Sequence, residues 1–339
     1  MRKLLTILIP AYNAASYLER SVRSVVPCGP ELDVLIVDDG STDRTPEIAD
    51  ALAREFPDTV RVRHQENGGH GEGLNQGIRL GKGLFFKTLD SDDRLDTAAL
   101  EKLLDLLRAC ADAGDLPDLV VNDYVYDRTE KEACFSVSYH CQMKENASLT
   151  WDTVHAFPLW KQFMIHSLTY RLDLLREMKL ELPKHTFYED NLYIYRPLPY
   201  VKKIRYLREP LYGYFIGRED QSVNDQVILR RLDQVSSIAF QMISSYPLSF
   251  LKTLPVKLRK YMLNNLAGQL FTTSSLQYMS GEEGLRQNSV LWEQVRAFDP
   301  DLYRALRRHP LGFFTVLPGK AGRALLVWAY RFGRRMIRF

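Results

Sequence analysis

The sequence predicts an α/β fold with a mostly parallel sheet and helices on both faces, followed by a C-terminal helical region. Short apolar runs alternate with helical patterns over the first hundred residues, as in βαβ units. Polar clusters follow three of these runs, where the strands would end. Beyond residue 224 the chain consists of long helical stretches with few glycines.

The elements of the first hundred residues follow from their side-chain patterns. Buried strands are predicted at residues 4–9, 34–37, 60–62 and 84–89, where apolar and branched residues dominate. Helical spacing follows the first two strands, and Thr45 is predicted as a helix N-cap with Pro46 at the first helical position. Residues 67–75 are rich in glycine and are predicted to form a loop that leads into a helix.

The rest of the chain is predicted to be divided at residue 224. Alternating patterns predict further strands at 119–126 and 135–139. Helices are predicted within 225–246, 255–279, 282–298 and 320–338. The predicted domains are 1–224, with halves at 1–115 and 116–224, and a helical region at 225–339.

Composition limits the class of protein. A chain of 339 residues with 45% hydrophobic and 26% charged residues is a globular protein of about two domains. Its four cysteines lack the spacing of a metal site or a disulfide framework, which predicts reduced thiols in a cytoplasmic protein. The apolar start is too short for a signal peptide, and no apolar run reaches the length of a membrane span.

Charge is distributed unevenly along the chain. Residues 240–339 hold 15 lysines and arginines against 5 acidic residues, whereas the first 239 residues hold 30 against 37. An acidic body and a basic end indicate a part that holds cations and a part that meets an anionic partner. We expect no nucleic-acid partner.

Carboxylates gather where the predicted fourth strand ends, in the segment Asp90-Ser91-Asp92-Asp93. Such oxygen ligands suit Mg²⁺ or Mn²⁺ together with substrate phosphates. The alternative is a solvated acidic turn that caps the helix starting near Asp96. The second acidic pair, Asp38-Asp39, ends a neighbouring strand and favours the metal site, because like charges at one sheet edge need a cation.

Two further segments fit a nucleotide. Asp38-Asp39-Gly40-Ser41 is either a turn before a helix or a carboxylate site for a nucleoside. The glycine-rich segment 67–75 would let backbone amides approach a diphosphate. It matches neither a P-loop nor a dinucleotide fingerprint, which disfavours a P-loop enzyme and a dehydrogenase.

Four motifs together resemble the family 2 glycosyltransferases. They are Pro10-Ala11-Tyr12-Asn13, Val37-Asp38-Asp39-Gly40-Ser41-Thr42-Asp43, Glu66-Asn67-Gly68-Gly69 and Leu89-Asp90-Ser91-Asp92-Asp93, in the order and spacing of that family. The resemblance covers about residues 4–224. It implies the GT-A fold, which is Rossmann-like, a nucleotide-diphosphate-sugar donor and a divalent cation, Mg²⁺ or Mn²⁺. Residues 1–115 would then be the nucleotide-binding half and residues 116–224 the acceptor half.

The resemblance also implies roles for single residues. The nucleotide-sugar site would contain Pro10, Tyr12, Asp39, Asn67, Gly68, Asp90 and Arg218. Asp92 would be the main metal ligand and Asp93 a second candidate. The family often has an arginine where this chain has Leu74, and the polar contact of that arginine is expected from His70 or Lys87.

The catalytic base is expected in the pair Glu189-Asp190, which matches the family's later acidic pair. Asp190 is predicted as the base that takes the proton of the acceptor hydroxyl, and Glu189 is the second candidate. The alternative is that these acids only stabilise a helix N-terminus. The histidines at 155, 166 and 185 could contact an acceptor, although a lone histidine is more often structural.

The sequence therefore predicts an inverting, metal-dependent glycosyltransferase, with a UDP-sugar as the default donor. The expected acceptor is a cell-surface glycan or a lipid-linked acceptor, reached from the inner face of the plasma membrane. The alternatives are a sugar-nucleotide-binding protein or nucleotidyltransferase, and a non-catalytic membrane-associated protein.

A separate prediction concerns the last twenty residues. Six basic residues of segment 320–339 fall within one third of a helical circumference, apolar residues fill the remainder, and the segment has no acid. This pattern indicates a helix that docks on an anionic membrane surface. The alternative is a terminal helix that packs its apolar face on the protein and leaves a solvated basic face.

Overall fold

The computed structural model describes residues 2–128, 135–216, 225–317 and 319–337. Contacts divide the chain into two units, residues 1–155 with 163–218 and residues 156–162 with 219–339. The predicted boundary at residue 224 lies outside the described residues, and the predicted division at residue 115 remains a prediction.

One mixed sheet forms the first unit. Its strands are β1 (Leu5–Ala11), β2 (Leu32–Asp38), β3 (Val60–His64), β4 (Phe85–Thr88), β5 (Arg94–Leu95), β6 (Leu119–Arg128), β7 (Phe135–Val137), β8 (Leu168–Arg171) and β9 (Ile204–Ile216). Their order is β3-β2-β1-β4-β8-β6-β9-β5, with β7 on β6. The helices of this unit are α1 (Leu18–Arg23), α2 (Thr45–Glu55), α3 (His70–Leu80), α4 (Thr97–Asp112), α5 (Leu172–Glu177) and α6 (Asp190–Tyr195).

The parallel part of the sheet defines the site edge. β1 lies between β2 and β4 and runs parallel to both, and β2 is parallel to β3. Every residue of β1 and β2 is buried, as their apolar sequences predict. The carboxyl ends of these strands therefore meet at one edge. The predicted α/β class and mostly parallel sheet are confirmed.

The antiparallel strand β8 lies next to the parallel part of the sheet. β8 pairs antiparallel with β4 on one side and with β6 on the other. In its register, Phe85 lies opposite Arg171 and Phe86 opposite Tyr170. Continuing this register past the end of β4 brings the residues before β8 next to the turn at residues 90–93.

The start of α2 differs from the prediction by one residue. Thr45 is the first helical residue, and its N-cap is Arg44, which makes no side-chain capping bond. The Thr45 hydroxyl instead bonds the Asp43 carboxylate and accepts from the backbone N–H of Ala14. These bonds join the start of α2 to the segment that follows β1.

The second unit is helical, as predicted for the C-terminal region. Its helices are α7 (Asp225–Arg230), α8 (Leu232–Ile243), α9 (Leu248–Leu251), α10 (Val256–Met279), α11 (Gly281–Phe298), α12 (Pro300–Arg308), α13 (Pro310–Thr315) and α14 (Gly319–Ile337). α10 is central to this unit and packs against α8, α11, α13 and α14. In the described ranges, no helix combines the length and the apolar character needed to cross a bilayer.

Candidate functional site

A loop at the end of β2 is organised by one buried carboxylate. Asp39 is 5% exposed, and its Oδ1 accepts hydrogen bonds from the Gly68 N–H at 2.7 Å and from Gln65 Nε2 at 2.6 Å. Its Oδ2 accepts from the Gly69 N–H at 2.8 Å, and Asn67 Nδ2 donates to the Asp39 carbonyl. The structure thus brings Asp39, Asn67 and Gly68 together, and their contacts to one another hold the loop in shape.

The glycine-rich segment is mostly helix, which corrects the predicted loop at 67–75. α3 begins at His70 and has Gly69, with φ of +82°, as its N-cap. A Cβ on Gly71 would lie 2.4 Å from the Pro183 carbonyl oxygen, and one on Gly73 would lie 3.1 Å from Pro10 Cβ. The glycines therefore let α3 pack closely against the strand and the chain on either side of it.

The residues after β1 lie at the same sheet edge. Pro10 is buried within β1. It lies against α3, since a Cβ on Gly73 would be 3.1 Å from the Cβ of Pro10. Tyr12 follows the strand and is 55% exposed, so that its ring is accessible to a ligand. Arg218, predicted to contact the donor, lies outside the described residues.

Two carboxylates and an imidazole converge where β4 ends. Asp90, Asp93 and His166 each offer a ligand atom, and these atoms all lie within 4.8 Å of one another. We call these three residues the strand-end cluster. Asp92, the predicted main ligand, is part-exposed in the same turn but is not one of the three, and its role remains a prediction.

Within the strand-end cluster, the pKa values of Asp93 and Asp90 are shifted in opposite directions. Asp93 is 1% exposed and accepts hydrogen bonds from the Tyr212 hydroxyl and the Phe215 N–H, both at 2.7 Å. Burial and the negative charges of Asp90 and Asp92 raise the pKa of Asp93 well above its usual range. Burial also opposes ionisation of Asp90, but the nearby imidazoles of His166 and His70 outweigh it and lower the pKa of Asp90. A cation in the cluster would relieve the repulsion between these acids.

The donor set fits a divalent transition-metal ion. Carboxylates suit Mg²⁺ and Mn²⁺, and the imidazole adds a ligand type that transition metals accept. His166 is 4% exposed, and its buried Nδ1 has no hydrogen-bond partner among the described residues. Its ring packs on Tyr212 and Tyr214, with centroids 4.5 and 4.3 Å away.

Sequence reasoning gave His166 only a weak role toward an acceptor. The residue lies two positions before β8, and the antiparallel register of β8 on β4 sets it beside Asp90. Its Nε2 is 3.9 Å from Asp90 Oδ2. Finding His166 would have required predicting that β8 pairs antiparallel with β4.

His70 connects the strand-end cluster to the later acidic pair. Its Nδ1 is 2.5 Å from Glu189 Oε1, and its Nε2 is 3.4 Å from Asp90 Oδ1. Burial opposes protonation of this ring, but the nearby Asp90 carboxylate and the hydrogen-bonded Glu189 carboxylate outweigh burial and raise its pKa well above 6.5. His70 therefore lies between two carboxylates that favour its protonated form, one from each half of the predicted domain.

Lys87, the other residue considered for the missing arginine, has a different position. It is fully buried, and its Nζ donates to Asn122 Oδ1 at 3.0 Å and to the His166 carbonyl at 2.8 Å. Burial lowers its pKa to about 7. Lys87 supports the backbone at His166 from inside the sheet.

The acidic pair divides into a bound and an available carboxylate. Glu189 is 2% exposed and bonded to His70, whereas Asp190 opens α6 and is part-exposed. The Oδ1 of Asp190 accepts from the N–H and the side-chain amide of Asn191. Burial, followed by the charge of Glu189, raises the pKa of Asp190 to about 7. A carboxylate with such a pKa is matched to proton transfer near neutral pH.

Comparison with known families supports the resemblance seen in the sequence. Residues 6–163 match the family described as "Glycosyl transferase family 2". This match confirms the resemblance that the four sequence motifs show. The match contains β1 from its second residue, β2 to β4 and the turn at residues 90–93.

Individual relatives agree with this match. The chain is 29% identical over 223 residues to EpsH of Bacillus subtilis, covering 62% of this chain and 60% of EpsH. It is 28% identical to the glycosyltransferase GlyG of Streptococcus pneumoniae, covering 58% of this chain and 71% of GlyG. The chain therefore spans less than two thirds of EpsH.

Solved structures share the fold. TarS 1–349 of S. aureus aligns with a TM-score of 0.64 at 16% identity, covering 97% of this chain and 92% of that chain. The mannosyltransferase PcManGT of Pyrobaculum calidifontis, solved with GDP-Man and Mn²⁺, aligns with a TM-score of 0.56 at 15% identity, covering 98% and 87%. These likenesses confirm the predicted fold.

Proposed function

We propose that this chain transfers a sugar from a nucleotide-diphosphate sugar to an acceptor hydroxyl with inversion at the anomeric carbon. The observation that carries the proposal is the His70 bridge between Asp90 and Glu189. It links the strand-end carboxylates, suited to a donor diphosphate and its cation, to the start of α6, where Asp190 is available as a base. A binding protein would need no such base next to its nucleotide site.

In the proposed reaction, Asp190 accepts the proton of the acceptor hydroxyl. The hydroxyl oxygen forms a bond to the anomeric carbon, and the bond from that carbon to the diphosphate oxygen breaks. The leaving nucleoside diphosphate takes the electron pair of the broken bond. Since a single displacement inverts the carbon, one base is sufficient.

A divalent cation would be held by Asp90, Asp93 and His166, with Asp92 as a further candidate ligand. When bound, Mg²⁺ or Mn²⁺ supplies charge that offsets the charge of the leaving diphosphate. The chain's own contribution is to fix these ligands. The Tyr212 hydroxyl and the Phe215 N–H orient Asp93, and Lys87 holds the carbonyl of His166.

The donor pocket is proposed to use Tyr12, Asp39, Asn67, Gly68 and Pro10, with Arg218 at the diphosphate. We propose UDP as the nucleotide. TarS has been crystallised with UDP-GlcNAc, and that structure aligns with this chain with a TM-score of 0.50 at 16% identity. PcManGT was crystallised with GDP-Man. UDP-sugars and GDP-sugars are therefore the two donor classes to test first.

The acceptor is proposed to be a cell-surface glycan or a lipid-linked acceptor at the inner face of the plasma membrane. A segment of 106 residues is 42% identical to a chondroitin synthase of Escherichia coli and covers 31% of this chain and 15% of that enzyme. This relative builds a polysaccharide by name, which supports a glycan acceptor.

A panel of sugar nucleotides tests the proposal. Thermal unfolding would be followed with each UDP-sugar and GDP-sugar, with Mn²⁺ or with EDTA, and nucleoside diphosphate release would be measured in parallel. We expect one donor class to protect the protein in a Mn²⁺-dependent manner and to be turned over. Protection without turnover, in the presence and in the absence of acceptors, would favour a sugar-nucleotide-binding protein. Conversion of the sugar nucleotide and added pyrophosphate to a nucleoside triphosphate and a sugar 1-phosphate would favour a nucleotidyltransferase.

A further inference from the structure

One side of α14 is exposed although it is aromatic and apolar. Leu325, Trp328 and Phe332 are 44%, 61% and 52% exposed, and the rings of Trp328 and Phe332 stack with centroids 5.5 Å apart. At helical spacing these three residues share one side. Leu326 and Tyr330, on another side of the helix, are buried at 0% and 6%. Packing on the protein therefore uses a different apolar stripe, and the aromatic side of α14 is left to solvent.

Basic residues lie beside this aromatic side. Lys320 and Arg331 are exposed, and at 100° per residue they fall next to Trp328 on the helix circumference. α14 has no acidic residue over its 19 positions. An exposed arc with an aromatic half and a cationic half is the arrangement of helices that lie in the membrane interface.

A groove adjoins the same helix. It has a volume of about 620 Å³, and its lining includes Arg323, Arg331 and Trp328 of α14 together with Leu285 and Met279. Glu282 is the acid that lines it. Two arginines together with apolar side chains complement a molecule with an anionic head and an apolar body.

We propose that α14 docks this protein on an anionic lipid bilayer. Leu325, Trp328 and Phe332 enter the interface, Lys320 and Arg331 meet the lipid phosphates, and the groove receives a lipid headgroup. A protein partner or a second copy of the chain would bury the aromatic side equally well. The charge of α14 favours a bilayer, because a helix with basic residues and no acidic residue is attracted to anionic headgroups. This proposal is independent of the sugar-transfer activity, which is not needed for its test.

Vesicle flotation of the full chain is the first test. We expect the protein to float with vesicles of phosphatidylglycerol and phosphatidylcholine at low salt, to float poorly with phosphatidylcholine alone, and to be released as salt rises. Absence of flotation with phosphatidylglycerol at low salt would overturn the proposal.

Matched variants locate the contact. Trp328→Ser combined with Phe332→Ser should weaken binding at least about tenfold, and Arg331→Gln should weaken it about fivefold. The matched controls are Trp160→Ser, at a tryptophan that is 80% exposed, and Arg296→Gln, at an exposed arginine of α11. Equal losses in the controls would contradict docking through α14.

Tryptophan quenching distinguishes the occupants of the aromatic side. Vesicles that contain brominated lipids should quench the wild type and Trp160→Phe but not Trp328→Phe. Sedimentation of the same variants reports a second copy. If Trp328→Ser with Phe332→Ser converts a dimer to a monomer and leaves flotation unchanged, the face is a protein interface and the proposal is wrong.

Discussion

Replacing Asp190 with asparagine should stabilise the protein while it removes transfer activity. Burial and the neighbouring Glu189 raise the pKa of Asp190 from 3.8 to about 7. In the unfolded chain this carboxyl ionises near its usual pKa. The free energy of unfolding is therefore lowered at every pH at which the carboxyl is ionised in the unfolded chain. Asparagine has a similar shape and no charge, and it avoids the penalty.

The size of the effect follows from the two pKa values. One tenfold change in an ionisation equilibrium corresponds to about 1.4 kcal/mol. The rise from 3.8 to about 7 therefore corresponds to at most about 4 kcal/mol of lost stability at pH 8. Because the side chain is part-exposed and solvent screens it, we expect about 2 kcal/mol. A raised pKa means that the penalty is absent below 3.8 and builds as pH rises through about 7.

Calorimetric unfolding with EDTA at pH 5 and pH 8 measures this effect. Asp190→Asn should raise the Tm by several degrees at pH 8, and by less than half as much at pH 5. The control is Asp173→Asn, which removes an exposed acid from the first turn of α5. It should lower the Tm slightly at both pH values, since it loses the same helix-terminus interaction. A lower Tm for Asp190→Asn at pH 8, or equal gains at both pH values, would refute the reasoning.

Three further substitutions test the site and its support. Asp93→Asn should weaken the Mn²⁺-dependent part of UDP binding at least about tenfold by calorimetry, because it removes a charged ligand. His70→Ala should lower the stability by about 2–3 kcal/mol in chemical denaturation, since it leaves Glu189 buried without a cation. Gly71→Ala should cost about 1–3 kcal/mol in the same assay, because its Cβ would meet the Pro183 carbonyl oxygen at 2.4 Å.

Each of these substitutions has a matched comparison. Asp92→Asn tests the ligand that the sequence predicts, and loss of metal dependence in that variant alone would return the main role to Asp92. His155→Ala changes an exposed histidine and should leave stability unchanged. Gly333→Ala lies in a helix with open space around it and should be neutral or slightly stabilising.

The sheet and its acidic edge could be predicted because they depend on local sequence. β1 and β2 are apolar and branched throughout, which indicates strands buried on both faces. Parallel strands bring their carboxyl ends to one edge, so the acids after β2 and β4 had to be neighbours. The four family motifs then gave these acids an expected chemistry.

The partners of those acids could not be predicted, because they depend on long-range packing. His166 reaches Asp90 through the antiparallel pairing of β8 with β4. His70 reaches Glu189 because Gly71 lets α3 approach the chain at Pro183. Glycine is equally suited to a loop and to close helix packing, so its presence alone did not distinguish the two.

Among the short helices that were not predicted, α12 and α13 have local signals in the sequence. α12 and α13 begin at Pro300 and Pro310, a favoured first helical position. The Asp299 carboxylate accepts from the N–H groups of Asp301 and Leu302 and caps α12. The shortness of both helices hid their periodicity.

Donor hydrolysis at matched donor occupancy tests the central claim most directly. Binding of the selected sugar nucleotide with Mn²⁺ would first be measured for the wild type and Asp190→Asn, and nucleoside diphosphate release would then be followed at saturation. We predict equal affinities and a rate that falls by about 10²–10⁴ in the variant, as for loss of a general base. A variant that hydrolyses the donor and glycosylates an acceptor at the wild-type rate would contradict the assignment of Asp190 as the base.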